Sequence, residues 1–238
     1  MFRKIFAARV TSPVSLGLVV TRGHTGRSSP VGSDYRLAEA WAKCSDRDQL
    51  LRHEAADLFR RALKSCQVHH VYSLVVYRGR SDDTVSSWKE MGPPRSAISG
   101  GRYNSVGWVV LYLCDSVAGV RREVTRNAGT RLCVQRYEIP AKALKLLDGS
   151  GQVSELVGGA FDMAESARVD GRVGPSDFQF GQVVAQLVRE AGFGGMLIPG
   201  VRGDAELKYR NVIVFEPGDR WIEWSQKDEG FSVIDGAS

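Results

Sequence analysis

From Asp34 onward the apolar positions Leu37, Ala40, Trp41, Cys44, Leu50, Leu51, Ala55, Leu58, Phe59, Ala62 and Leu63 recur at helical spacing. That spacing draws one stripe along a helix of 3.6 residues per turn, so it predicts one or two amphipathic helices ending near Cys66. The period then changes. Ser73-Leu-Val-Val-Tyr77 is β-branched and aromatic, which predicts a buried strand, and it runs straight into the basic Arg78-Gly79-Arg80. A long polar loop follows, through Pro93-Pro94 to Gly100-Gly101. Val109 to Cys114 predicts a second strand, with Asp115 or Ser116 placed to cap a helix whose apolar stripe is Val117, Val120 and Val124. Further strands are expected at Arg131 to Ile139, Gly195 to Ile198 and Val212 to Phe215, and helices near Glu155 to Glu165 and Phe180 to Ala191. The tail bearing Trp221 and Trp224 alternates enough to predict a packed edge segment.

Strands and helices in this order make an α+β protein, without the regular alternation or glycine fingerprint of a dinucleotide-binding fold. The sequence holds no internal repeat, no P-loop and no GxSxG nucleophile elbow. Residues 21–33 are rich in Gly, Ser and Pro and form the clearest linker. The expected organisation is a basic flexible tail over 1–33, a helical N-terminal extension over 34–68 and one domain over 69–238.

Charge changes the picture less than its sum suggests. The net charge of +5 invites a nucleic-acid reading, but Arg3, Lys4, Arg9, Arg22 and Arg27 all fall in an acid-free start over residues 1–33. Setting those five aside from 32 Lys and Arg leaves 27, equal to the 27 Asp and Glu, so the body is formally neutral. Direct nucleic-acid binding needs a basic patch on the domain itself, and this balance argues against it. Four cysteines and four histidines show no CxxC pair and no metal-like spacing, so no metal site and a reduced, cytoplasmic protein are expected. No apolar run approaches the roughly 20 residues of a membrane helix. The composition is compatible with a homo-oligomer.

Three segments carry candidate chemistry: Tyr77-Arg78 at a strand end, Gly100-Gly101-Arg102-Tyr103-Asn104 in a glycine-softened loop, and Tyr112 followed by Glu123 on a helix. Each alone has a bland reading as a solvated strand end, a turn or an exposed helical charge. The adjacent His69-His70 point to opposite faces of any strand and cannot serve one site. Asp204 and Glu206 fit a solvated loop. Together and in this order, Arg78, Gly101-Arg102-Tyr103-Asn104, Tyr112-Leu-Cys114 and Glu123 resemble the opening of the RES-domain family of NAD-degrading bacterial toxins, named for an Arg, a Glu and a Ser. Gly192-Phe-Gly-Gly-Met-Leu-Ile-Pro199 and Asn211-Val-Ile-Val-Phe215 resemble its second half, so the likeness spans residues 73 to 218. The family serine follows a proline, where this chain reads Pro199-Gly200. Ser81, Ser105 and Ser116 are the candidates to replace it in space.

The resemblance implies mixed small sheets with flanking helices, similar to the ADP-ribosyltransferase toxins, with NAD⁺ as substrate and no separate cofactor. It also implies a cognate antitoxin as partner. Cleaving the nicotinamide–ribose bond develops a ribose cation, for which a fixed carboxylate is suited, and Glu123 is that candidate. Arg78 and Arg102 are candidate clamps for phosphate oxygens. Tyr112, with Tyr103 as the alternative, is the ring to stack on nicotinamide, and Asn211 is a candidate hydrogen-bond donor to the ligand. Gly200 would offer a backbone N–H to an approaching phosphate. The implied reaction is a glycohydrolase or phosphorylase step. Transfer of ADP-ribose to a protein, and an inactive NAD-binding module that has lost the serine, are the alternatives.

Overall fold

The computed structural model describes residues 36–65, 69–70, 73–81, 84–94, 100–124, 131–158, 178–200 and 208–234. The basic segment 1–33, the second half of the helix expected over Glu155 to Glu165, and Asp204 and Glu206 lie outside them.

The N-terminal stripe folds as three helices, α1 (Leu37–Trp41), α2 (Arg47–Arg52) and α3 (Glu54–Ser65). The expected one or two helices are divided by local chemistry. Asp46 takes an extended backbone and accepts the Gln49 N–H at 2.8 Å as the N-cap of α2, and His53, also extended, separates α2 from α3. Their apolar faces, with Leu37, Leu50, Phe59 and Leu63 fully buried, pack in one cluster with α5 (Gly151–Val157) and α6 (Gln179–Glu190). Trp41 stacks on Phe180 of α6 with ring centroids 6.2 Å apart. Each such side chain contributes roughly 1.5–3 kcal/mol on burial, so residues 37–65 share the hydrophobic core of the domain.

That helical layer covers one face of a sheet formed by β1 (His69–His70), β2 (Leu74–Arg80), β3 (Val110–Cys114), β4 (Leu132–Ile139), β5 (Lys145–Asp148), β6 (Gly195–Pro199), β7 (Arg210–Phe215) and β8 (Phe231–Ile234). The strand order is β1-β5-β6-β7-β3-β2-β4-β8, with β5 and β6 parallel and the other neighbours antiparallel. Period-two alternation sorts the faces. Val110, Met196, Ile198 and Ile213 join the helical layer, whereas Leu111, Leu113, Leu197, Val212 and Val214 pack on the opposite side with Tyr137 and Trp224.

The α+β class and flanking helices match the sequence pattern, and the small sheets prove continuous in an instructive way. β1-β5-β6-β7-β3 and β2-β4-β8 join through one paired position, Tyr77 with Cys114. By contrast β2 and β4 pair at every residue from Leu74–Ile139 to Arg80–Cys133. The sheet is therefore nearly two sheets, and the seam between them is where β2 and β3 part.

Helix α4 (Val117–Val124) lies against this seam, its Val120 buried with Cys114 and Leu132. Ser116 is its cap, accepting the Gly119 N–H at 3.1 Å, while Asp115 is taken by Arg210. The edge segment expected at Trp221 and Trp224 is instead a short helix, α7 (Arg220–Trp224), started by the turn at Pro217-Gly218-Asp219, and the actual edge strand is β8 after α8 (Lys227–Gly230). Among the described residues no helix is long and apolar enough to cross a membrane.

Candidate functional site

The seam encloses a cavity of about 230 Å³. Its wall takes Arg78 from β2, Tyr112 and Cys114 from β3, Glu123 from α4, Asn211 from β7, and Arg102 and Tyr103 from the loop before β3. Strand alternation explains the convergence of Tyr112, Asn211 and Ile213. Tyr112 pairs with Ile213 and Cys114 with Asn211, so these side chains rise from one face of the sheet.

The loop is locked onto Tyr112. Gly101 and Asn104 exchange backbone hydrogen bonds, the Gly101 N–H donating to Asn104 O at 2.8 Å. The Tyr112 hydroxyl donates to Asn104 Oδ1 at 2.8 Å and accepts the Tyr103 N–H at 3.1 Å. Asn104 Nδ2 continues to Trp108 O at 3.1 Å, and Gln182 Nε2 on α6 donates to Gly101 O at 2.9 Å. A Cβ on Gly101 would stand 2.5 Å from Asn104 Oδ1 and 2.9 Å from the Tyr112 hydroxyl, so only glycine allows the loop this close. Burial pushes the Tyr112 phenol up to about 12. Its hydroxyl is engaged in both hydrogen bonds, while the residue as a whole is 36% exposed.

Glu123 is held from β7. Asn211 Nδ2 donates to its Oε1 at 2.7 Å, and the Tyr209 hydroxyl donates to the same oxygen at 2.9 Å. Two donors on one oxygen fix the carboxylate's rotation.

Arg78 stands in contrast. Its Nε and Nη1 are buried and have no hydrogen-bond partner. Burial, with the nearby Arg80 adding to it and Tyr137 opposing it, pushes the guanidinium down to about 10, so it is still charged at neutral pH. A buried cation lacking partners costs several kcal/mol, and such groups mark strain or a missing ligand.

Cys114 is no nucleophile at neutral pH, because burial pushes its thiol up to about 11. Among the described residues no group of three or more His, Cys, Asp or Glu is placed to hold a metal ion.

Six residues singled out from the sequence, Arg78, Arg102, Tyr103, Tyr112, Glu123 and Asn211, thus share one cavity. Gly200 departs from its expected place. Its N–H donates to Tyr209 O at 2.9 Å and is not open to a phosphate, and the Tyr209 ring fills the space beside its Cα. The serines proposed as replacements are elsewhere: Ser116 caps α4, Ser105 Oγ accepts Arg47 Nη1 at 2.9 Å, and Ser81 is exposed. Sequence reasoning missed Tyr209. The signal was available, since Tyr209 precedes Asn211 by two residues and an extended chain points both the same way.

None of the curated proteins matches the chain. Among solved structures it is similar to the M. tuberculosis MbcT–MbcA toxin–antitoxin complex, with 17% sequence identity and a TM-score of 0.46, covering 76% of this chain and 93% of that one. The RES domain matches residues 75–227, an interval that begins on β2 and contains the whole wall of the cavity. With most of its length matched, the chain belongs to the RES domain family.

Proposed function

We propose that this protein cleaves the nicotinamide–ribose bond of NAD⁺ and acts in the cytoplasm as the toxin of a toxin–antitoxin pair. The observation that carries the reading is Arg78, a buried guanidinium with Nε and Nη1 unpartnered, on the same cavity wall as the doubly held carboxylate of Glu123. A dinucleotide satisfies both. Its phosphates bring anionic charge to offset the buried Arg78 guanidinium, with Arg102 as a second cation, and its ribose brings the developing cation that Glu123 favours. Nicotinamide leaves as a neutral molecule, so no general acid is required. The open ring surface of Tyr112 offers a stacking face for it. A volume of about 230 Å³ is below the roughly 300–1,000 Å³ of sites that enclose a drug-sized ligand, which suits nicotinamide and its ribose with the adenosine end outside. With water the products are nicotinamide, ADP-ribose and a proton; with phosphate they are nicotinamide and ADP-ribose 1″-phosphate. Membership of the RES domain family extends the reading to a cognate antitoxin that covers the cavity.

The test is nicotinamide release from NAD⁺ by the purified full-length chain, with and without phosphate. Release in buffer alone identifies hydrolysis, and release only with phosphate identifies phosphorolysis. Release that waits for a protein, with label appearing on it, replaces this reading with ADP-ribosyl transfer. Calorimetric binding without release would reduce the chain to a binding module. Glu123→Gln is expected to lower turnover by at least about 100-fold with NAD⁺ binding retained, and full activity in that variant removes Glu123 from the mechanism.

A further inference from the structure

Gly200 and Tyr209 fit one another in a way that bears on Glu123. Gly200 directly follows β6 and Tyr209 directly precedes β7, tied by the Gly200 N–H to Tyr209 O hydrogen bond at 2.9 Å. A Cβ on Gly200 would overlap Cε2 and Cζ of the Tyr209 ring and lie 2.5 Å from Cδ2. The ring has no room to yield. On α4 a Cβ on Gly119 would stand 2.7 Å from Tyr209 Cδ2 and Cγ, and the tyrosine as a whole is only 4% exposed. Two side-chain-free positions, one just after β6 and one on α4, thus clamp the ring and aim its hydroxyl at Glu123 Oε1, 2.9 Å away.

We infer that Tyr209 is a positioning residue for Glu123, and that Gly200 is required because it makes room for the Tyr209 ring. The inference rests on the reading of Glu123 as the carboxylate that faces the ribose cation. Tyr209 touches no substrate in this account. It shares Glu123 Oε1 with Asn211 Nδ2, so the carboxylate is pinned from two directions and its rotation about the side-chain axis is lost before substrate arrives. A serine at position 200 would bring a hydroxyl into the neighbourhood and still do harm, because it would drive the ring off the carboxylate.

Tyr209→Phe deletes one oxygen and no volume, so it separates positioning from packing. Steady-state nicotinamide release by the full-length chain is expected to show kcat reduced about 10- to 100-fold with KM within about twofold. Gly200→Ser is expected to lower kcat at least as far. An active wild type with an unchanged kcat in Tyr209→Phe, or with the loss confined to KM, overturns the positioning role and leaves the proposed reaction standing. A wild type that releases no nicotinamide overturns the proposed reaction, and this inference with it. Should Gly200→Ser fail to fold, Tyr209→Phe decides the matter alone; a folded Gly200→Ser with wild-type turnover overturns the claim about glycine.

Discussion

Tyr112 donates its hydroxyl to Asn104 Oδ1 at 2.8 Å and receives the Tyr103 N–H in return at 3.1 Å. The strand residue whose ring opens on the cavity is thereby also the anchor of the loop that brings Arg102 and Tyr103 to its wall. Tyr112→Phe keeps the stacking surface and cuts both bonds, leaving the Tyr103 N–H and the Asn104 carboxamide short of partners. The expected loss is about 1–3 kcal/mol of stability by urea titration, with KM for NAD⁺ rising more than kcat falls. An unchanged urea midpoint would show that the loop is held by Gln182 and its own turn instead.

Arg78 separates function from stability. Its guanidinium is buried without partners at Nε and Nη1, so in the absence of ligand it opposes folding. Arg78→Met, similar in length and uncharged, is therefore expected to fold with equal or greater stability, by up to about 1–3 kcal/mol, while NAD⁺ affinity drops at least about tenfold. Thermal unfolding and calorimetry read the two effects independently. A destabilised Arg78→Met would mean that the guanidinium has partners in the free protein, which removes the reason for assigning it an anion.

Alkaline pH should weaken the fold from a definable point. Below pH 9.0, the ordinary value for a cysteine, the Cys114 thiol is protonated in both folded and unfolded chains and contributes no pH dependence. Between 9.0 and about 11 the unfolded chain releases that proton while the folded chain retains it, so stability falls as pH rises. Tyr112 extends the fall from 10.0 to about 12 by the same logic. Urea midpoints measured from pH 8 to 11 are expected to decline beyond 9 and to decline less in Cys114→Ala. Equal slopes for the two proteins would place the alkaline lability elsewhere.

What the sequence made legible was whatever depended on short-range pattern. The β-branched runs at Leu74–Tyr77 and Val110–Cys114 and the helical stripe through Val183, Val184 and Leu187 announce their elements because burial on one face leaves a period. The candidate site was legible for the related reason that its residues sit on or beside those elements. β5 was not, since Lys145-Leu-Leu-Asp148 has two apolar residues and is a strand only because β1 and β6 flank it. The division of the sheet at Tyr77 and Cys114 was equally hidden, as pairing across a seam leaves no local signature. Tyr209 left only the signal of its two-residue spacing from Asn211, because its partner, Glu123, lies 86 residues away and the fold brings them together.

The same long-range logic gives the last prediction, at Arg47. This residue begins α2, and its guanidinium spans to Ser105 Oγ at 2.9 Å and to Gln186 Oε1 on α6. The N-terminal helices thereby reach the loop that carries Arg102 and Tyr103, through a contact separate from Tyr112's hydroxyl bonds. Arg47→Ala is expected to lower stability by about 1 kcal/mol, which for a domain of this size is roughly 2–4 °C in Tm. The more telling effect is on the cavity: with one of its ties cut, the loop samples more positions, so KM for NAD⁺ should rise about 3- to 10-fold while kcat changes less. Arg47→Lys should recover little of this, because one ammonium cannot reproduce the fork that meets Ser105 and Gln186 together. A variant with lowered Tm and unaltered KM would confine α2 to a scaffold role, uncoupled from the loop it touches.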